Sequence, residues 1–148
     1  MSDLKLSNLD ARRLLAMTKR SLIAALDFPN RGEEEEFDVV GDTKQDVFTI
    51  SIYRGKINPL KYSIGARIKI NGTVLLALDI SPTNVHYNPD GEKICGNHWH
   101  IYTEEHGRSV AFPAEDIHEE AFIENTLVFL TRFNVVEPPD VKYQLELL

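Results

Sequence analysis

The sequence predicts an α+β fold, an antiparallel sheet of about five to six strands flanked by an N-terminal and a C-terminal helix packed on one face. Three observations predict it. Apolar residues recur at helical spacing before Asp27 and again after Pro113, while between Asp46 and Phe112 they alternate as strands require. Asn71-Gly72 joins two alternating runs, and this dipeptide tolerates the positive backbone angles of a hairpin turn. At 148 residues, with 43% hydrophobic and 26% charged side chains, the chain has enough material for one core, so residues 1–148 are read as a single domain.

Asn8 serves as N-cap of a first helix running to about Asp27. Leu14, Leu15, Met17, Leu22, Ile23 and Leu26 form its apolar side, and Phe28-Pro29-Asn30-Arg31-Gly32 ends it. Glu33 to Asp46 holds seven acids and one lysine and reads as a solvated loop. Its second reading is a partner-binding surface that imitates phosphates. In Asp46–Arg54, Phe48, Ile50 and Ile52 alternate with Thr49, Ser51 and Tyr53. In Ser63–Ile70, Ile64, Ala66, Ile68 and Ile70 alternate with Ser63, Gly65, Arg67 and Lys69.

After the Asn71-Gly72 turn, Val74, Leu76, Leu78 and Ile80 share one face of a return strand, and Thr73, Leu75, Ala77 and Asp79 the other. Ser81 to Asn97 is a turn-rich connection containing Asn88-Pro89-Asp90-Gly91. A strand with His98, Trp99 and His100 comes next, then a short one around Arg108–Phe112. From Pro113 the pattern is helical, with Glu115, Asp116, Glu119 and Glu120 in the first turns, where the helix dipole favours anions. Pro138-Pro139 stops the helix, and Val141–Leu148 reads as a late edge strand or a docking segment. The tail from Pro138 is open to two readings, a homodimer contact or no contact.

If every strand turns its aliphatic side to the helices, the opposite face collects Thr49, Ser51, Tyr53, Arg67, Lys69, Asp79, His98, His100 and Tyr102. Trp99 anchors the strand that displays the two histidines. The cluster fits metal-free acid–base cleavage of RNA, since imidazole takes or gives a proton near neutral pH. His98 and His100 are then the acid/base pair, Arg67 stabilises phosphorane charge, and Tyr53 and Tyr102 orient or stack. Arg54, Lys56, Lys69, His86 and Asp90 are the substrate-binding candidates. No cofactor is expected, the minority reading being a metal at His98 and His100 with His86 or Asp90 as third ligand. Taken singly, each histidine is more simply an ordinary strand residue.

A net charge of −7 argues against a generic nucleic-acid binder, although Val47 to Leu78 carries five bases and no acid. No apolar run approaches the roughly 20 residues of a spanning helix, and the N-terminus lacks the apolar core of a signal peptide. Cys95 is the only cysteine, which excludes an internal disulfide framework. A cytoplasmic protein without membrane contact is the expectation.

Phe28-Pro29-x-x-Gly32, Ile52-Tyr53-Arg54-Gly55-Lys56-Ile57-Asn58, Arg67, Leu78-Asp79-Ile80, His86-x-Asn88-Pro89-Asp90-Gly91 and His98-Trp99-His100-Ile101-Tyr102 occur in this order. With them the chain resembles, from about Leu14 to Pro139, a family of small bacterial and phage proteins of unknown function found near mobile elements. Ala77 stands where a basic residue is common in that family. More loosely, the layout is similar to small toxins of toxin–antitoxin pairs, whose basic, tyrosine-bearing strands precede a histidine-rich segment. The family resemblance supplies no function; the co-facial cluster and the acid-free basic stretch suggest a mobile-element protein acting on RNA, a toxin ribonuclease being one form of it, with a cognate antitoxin or a host or phage protein as partner. The alternative is a non-catalytic inhibitor whose acidic surface sequesters a nucleic-acid-binding partner.

Overall fold

A computed structural model describes residues 5–115 and 117–143. Helix α1 (Asn8–Ala16) is followed by the short strands β1 (Lys19–Ser21) and β2 (Ala25–Asp27). Strands β3 (Glu34–Val40), β4 (Val47–Arg54), β5 (Tyr62–Ile68) and β6 (Val74–Ile80) then run back and forth. Next come β7 (Val85–Tyr87), β8 (Lys93–Cys95), β9 (His98–Ile101) and β10 (Ala111–Pro113). Helix α2 (Phe122–Arg132), β11 (Val135–Glu137) and β12 (Asp140–Lys142) complete the order.

Eight strands form one sheet in the order β10-β9-β6-β5-β4-β3-β1-β11. The neighbours are antiparallel except β1 and β11, which run parallel. β2 and β12 form a separate parallel pair, and β7 and β8 a separate hairpin. This corrects the expected fold, a five-to-six-stranded antiparallel sheet flanked by two helices on one face. The sheet is larger and mixed, and the helices are only 9 and 11 residues long.

The first helix stops at Ala16 rather than near Asp27, and its N-cap is Ser7, whose hydroxyl accepts from the Asp10 amide. Leu22 and Ile23, counted to its apolar side, are exposed. Beyond Ala16 the chain is pulled into strand by Lys19, whose buried ammonium turns back to the carbonyls of Leu15 and Met17. The second helix begins at Phe122, so Glu115, Glu119 and Glu120 precede it; Asp116 lies outside the described residues.

The acidic segment is not a loop. Its first half is β3, with Phe37 and Val39 in the core and Glu36 and Asp38 facing the opposite side. Phe48, Ile50, Ile52, Ile64, Ala66, Leu76, Leu78, Ile80 and Trp99 continue that core from the strands, and Leu14, Phe129 and Phe133 close it from the helices. The alternation therefore holds through β4 and β5.

It breaks at the β5–β6 turn. β5 ends at Ile68, the connection is longer than two residues, and Ile70 is 91% exposed. Ala66 faces Leu76 but Arg67 faces Val74, so Leu75 is an extra residue in the ladder. Such a bulge re-aims side chains: Leu75 enters the core while Val74 joins the polar face. Among the described residues no helix is long and apolar enough to cross a membrane.

Candidate functional site

Strand register builds the site. Tyr53 faces Ser63, Ser63 faces Asp79, and Asp79 faces His98 across four neighbouring strands. One step along, Ser51, Gly65, Ala77 and His100 form the next row. Since residues two apart share a face, His98 and His100 project together beside Asp79.

One carboxylate oxygen serves both rings. Asp79 Oδ2 lies 3.3 Å from His98 Nε2 and 3.1 Å from His100 Nε2. Burial pushes the Asp79 carboxyl upward, but the hydrogen bonds from His100 and His98 outweigh it and hold the group well below the usual carboxylate range. The Asp79 hydrogen bond raises His98, against burial, with help from the Gly96 carbonyl. His98 Nδ1 donates to that carbonyl at 2.8 Å.

The third ring arrives from outside the main sheet. The β7–β8 hairpin carries His86, whose Nε2 donates to the Ser109 carbonyl at 2.8 Å. His86 stacks on His98 with centroids 5.5 Å apart and stands edge-on to His100 at 5.1 Å. One ring nitrogen from each of His86, His98 and His100 lies within 4.8 Å of the others. His100 Nδ1 is the only buried side-chain polar atom without a hydrogen-bond partner among the described residues. Buried nitrogen without a partner is uncommon and calls for a cause.

Asn88 docks the hairpin. Its side-chain carbonyl accepts from the Ala111 amide at 2.7 Å, and its amide donates to the Ala111 carbonyl at 3.0 Å. The hairpin thereby hangs on β10 and covers the histidines, which are 2% and 6% exposed for His98 and His100. They are not displayed on a wet face, as the alternation alone implied. Asp79 keeps 27% of its side chain exposed and borders a groove with Tyr53, Lys61, Ser63, Ser81 and Asn84. A second groove is lined by Tyr53, Gly65, Arg67, Ala77 and Arg108, among others.

The other expected site residues separate. Tyr53 stands exposed at the border of both grooves. Arg67 donates to Glu36 at 2.8 Å and to Ser51 at 2.6 Å, and Lys69 pairs with Asp38 at 2.5 Å. The Arg67 and Ser51 hydrogen bonds hold Glu36 below its ordinary value; Asp38 is lowered too, burial being outweighed by Lys69 and Thr49. The basic stretch and the acidic segment thus neutralise each other across β3, β4 and β5.

Tyr102 lies beyond the end of β9, packs against the core and donates to the Leu6 carbonyl at 2.7 Å, away from the histidines. Asp90 is exposed in the hairpin turn, where its carboxylate accepts from the Glu92 amide. Lys56 is exposed and packs against Gly32. Of the ten expected site residues, only His86, His98 and His100 meet as a cluster.

Arg54 alternates with Tyr53 and so falls on the core face, only 6% exposed. Its Nε donates to the Pro59 carbonyl at 2.8 Å, and its guanidinium lies 4.5 Å from the Phe122 ring centre. It ties the β4–β5 connection to α2. Arg54→Ala is expected to cost about 2–3 kcal/mol in urea unfolding, through lost charged hydrogen bonds and stem packing. Unchanged stability with weakened RNA affinity would restore its substrate role.

Asp79, expected on the polar face but given no role, and Asn88, expected only as part of a turn, both belong to the site. Asp79 had a signal, an acid inside Leu78-Asp79-Ile80 on a strand otherwise apolar there. Asn88 had only its turn, whose partner is 23 residues away.

An eight-stranded mixed sheet with two short helices and a carboxylate-anchored imidazole cluster under a docked hairpin defines the class: a mostly-sheet protein with a histidine centre. The chain belongs to a family of unknown function, DUF6978, whose model matches residues 6–135. No curated protein and no solved structure matches the chain.

Proposed function

We propose that this protein acts on RNA, with the Asp79–His98–His100 centre as its reaction site and the adjoining grooves as the substrate path. The observation that carries the reading is that Asp79 both lines a groove and holds the two buried imidazoles. Tyr53 offers an exposed ring for base stacking, worth about 1–3 kcal/mol per base in single-strand binders. Arg108 and Lys61 are the groove cations that meet phosphate, because Arg67 and Lys69 are engaged by Glu36 and Asp38. In this reading the protein is a mobile-element toxin of bacterial or phage origin, checked by a cognate antitoxin.

A mixed cellular RNA pool incubated with the purified, metal-supplemented protein is expected to be cleaved, and His100→Ala to lose at least about 100-fold in rate. No cleavage, or equal cleavage by the variant, overturns the reading. A second reading is a non-catalytic binding protein that uses an acidic surface to sequester a nucleic-acid-binding partner. The exposure of Glu33, Glu34 and Glu35 favours it. Neutralising Glu33 and Glu35, which line neither groove, leaves an enzyme active and disarms an inhibitor.

A further inference from the structure

We propose that His86, His98 and His100 bind one divalent transition-metal ion of the zinc class. As the cofactor of the proposed reaction this inference rests on that reading; as a binding site it rests on ring geometry alone. Three imidazoles from two separate sheets converge, with one nitrogen of each within 4.8 Å of the others. Two of the three rings are almost wholly buried, where an ordinary polar surface cluster would be wet.

Each ring also has one nitrogen hydrogen-bonded to an oxygen acceptor. A ligating histidine uses one nitrogen for the ion and donates the other N–H to a carbonyl or carboxylate. His86 Nε2 donates to the Ser109 carbonyl, His98 Nδ1 to the Gly96 carbonyl, and His100 Nε2 to the Asp79 carboxylate. Carbonyl oxygens only accept, so these partners fix the tautomers of His86 and His98. The nitrogens left are His86 Nδ1, His98 Nε2 and His100 Nδ1.

His100 Nδ1 is buried and has no hydrogen-bond partner. An ion supplies the missing partner. His98 Nε2 faces Asp79 at 3.3 Å, and an ion replaces the proton that this contact otherwise needs. Tetrahedral zinc with bonds near 2.0–2.1 Å places ligand nitrogens roughly 3.4 Å apart. The rings therefore close by about an ångström on binding, a movement that the separate hairpin bearing His86 can supply.

The donor set selects the ion. Three neutral imidazoles suit zinc, copper, nickel or iron, whereas calcium and magnesium want oxygen ligands. Three protein ligands leave a fourth position open, as in catalytic zinc sites. A metal-bound water there, beside Asp79, answers how histidines covered by a hairpin take part in a reaction: the ion's water, not a free imidazole, meets the substrate.

The test measures metal in protein purified without chelator, then titrates stripped protein with Co²⁺ and follows visible absorption. About one ion per chain, with the intense bands of four-coordinate cobalt, is expected. His86→Ala and His100→Ala are each expected to weaken Co²⁺ binding on the order of 100-fold or more. His86 lies outside the main sheet, so unchanged circular dichroism of His86→Ala separates ligand loss from fold loss. Stripping is expected to lower the Tm of the native protein but not that of His86→Ala. Absence of stoichiometric Zn²⁺ or Co²⁺ binding, or binding by His86→Ala equal to native, overturns the inference. RNA cleavage by demonstrably metal-free protein overturns the ion's part in that reaction while sparing the RNA reading; metal binding without cleavage overturns the RNA reading while sparing the site.

Discussion

Lys19→Ala is expected to lose about 3–5 kcal/mol of folding stability, a large part of what a domain this size possesses. The Lys19 side chain is 1% exposed. Its ammonium donates to the carbonyls of Met17 and Phe133 at 2.8 Å each and of Leu15 at 3.3 Å. These carbonyls lie at the C-terminal ends of α1 and α2, where aligned peptide dipoles favour a cation. The same ammonium lies 3.9 Å from the Phe133 ring centre and 5.2 Å from that of Phe48. Alanine leaves buried acceptors without a donor, at about 1–3 kcal/mol each, and opens a cavity besides. Lys19→Met keeps the volume and is expected to lose less, about 2–3 kcal/mol.

The pH profile identifies the mechanism. Burial lowers the Lys19 pKa to about 8 against an ordinary 10.5, opposed by the nearby Asp42 carboxylate. Between these values the unfolded chain binds the proton that the folded chain has released. Stability attributable to Lys19 therefore rises with pH from about 8 toward 10.5. Urea unfolding from pH 7 to 10 shows that rise in the native protein and not in Lys19→Met; parallel profiles sink the argument. Stopping at pH 10 limits the contribution of Tyr62, whose buried phenol is pushed up to about 12.

Asp79→Ala is the second large effect, expected at about 2–4 kcal/mol of stability and a 10–100-fold loss of Co²⁺ affinity. The carboxylate is the shared acceptor of two buried rings, so its removal leaves both Nε2 atoms without their partner. Asp79→Asn retains one acceptor oxygen and is expected to fall between native and alanine in both measurements. Lost stability with unchanged Co²⁺ affinity would mark Asp79 as structural only. Native stability in Asp79→Ala would remove the anchor altogether.

How much of this was legible depends on the range of each interaction. In β4 and β5 Phe48, Ile50, Ile52, Ile64 and Ala66 alternate with less apolar residues and are all buried, Thr49 being the one residue of the polar face buried with them. The histidine pair was legible for the same reason, its shared face being a property of the strand period. Arg54 was legible in principle, since its parity places it with Ile52 and not with Tyr53. The early stop of α1 was not, because Lys19 is held by Phe133, 114 residues away. Nor was the bulge at Leu75, where the ladder, not the pattern, chooses the face.

Alternation by itself determined the central strands, the side of the sheet that is apolar, and the placement of His98 and His100 together on the other. These are local outcomes, set by the two-residue period of an extended chain and by the loss of water from aliphatic surface. Only tertiary structure decided that the acids of β3 would neutralise the bases of β5, and that Asn88 would hang a hairpin on β10. Only it brought His86 onto His98 and His100, closing them from solvent with one nitrogen still unpaired. The reason is physical: hydrogen bonds and ion pairs join whatever groups the packed sheet brings within about 3 Å, at any separation along the chain.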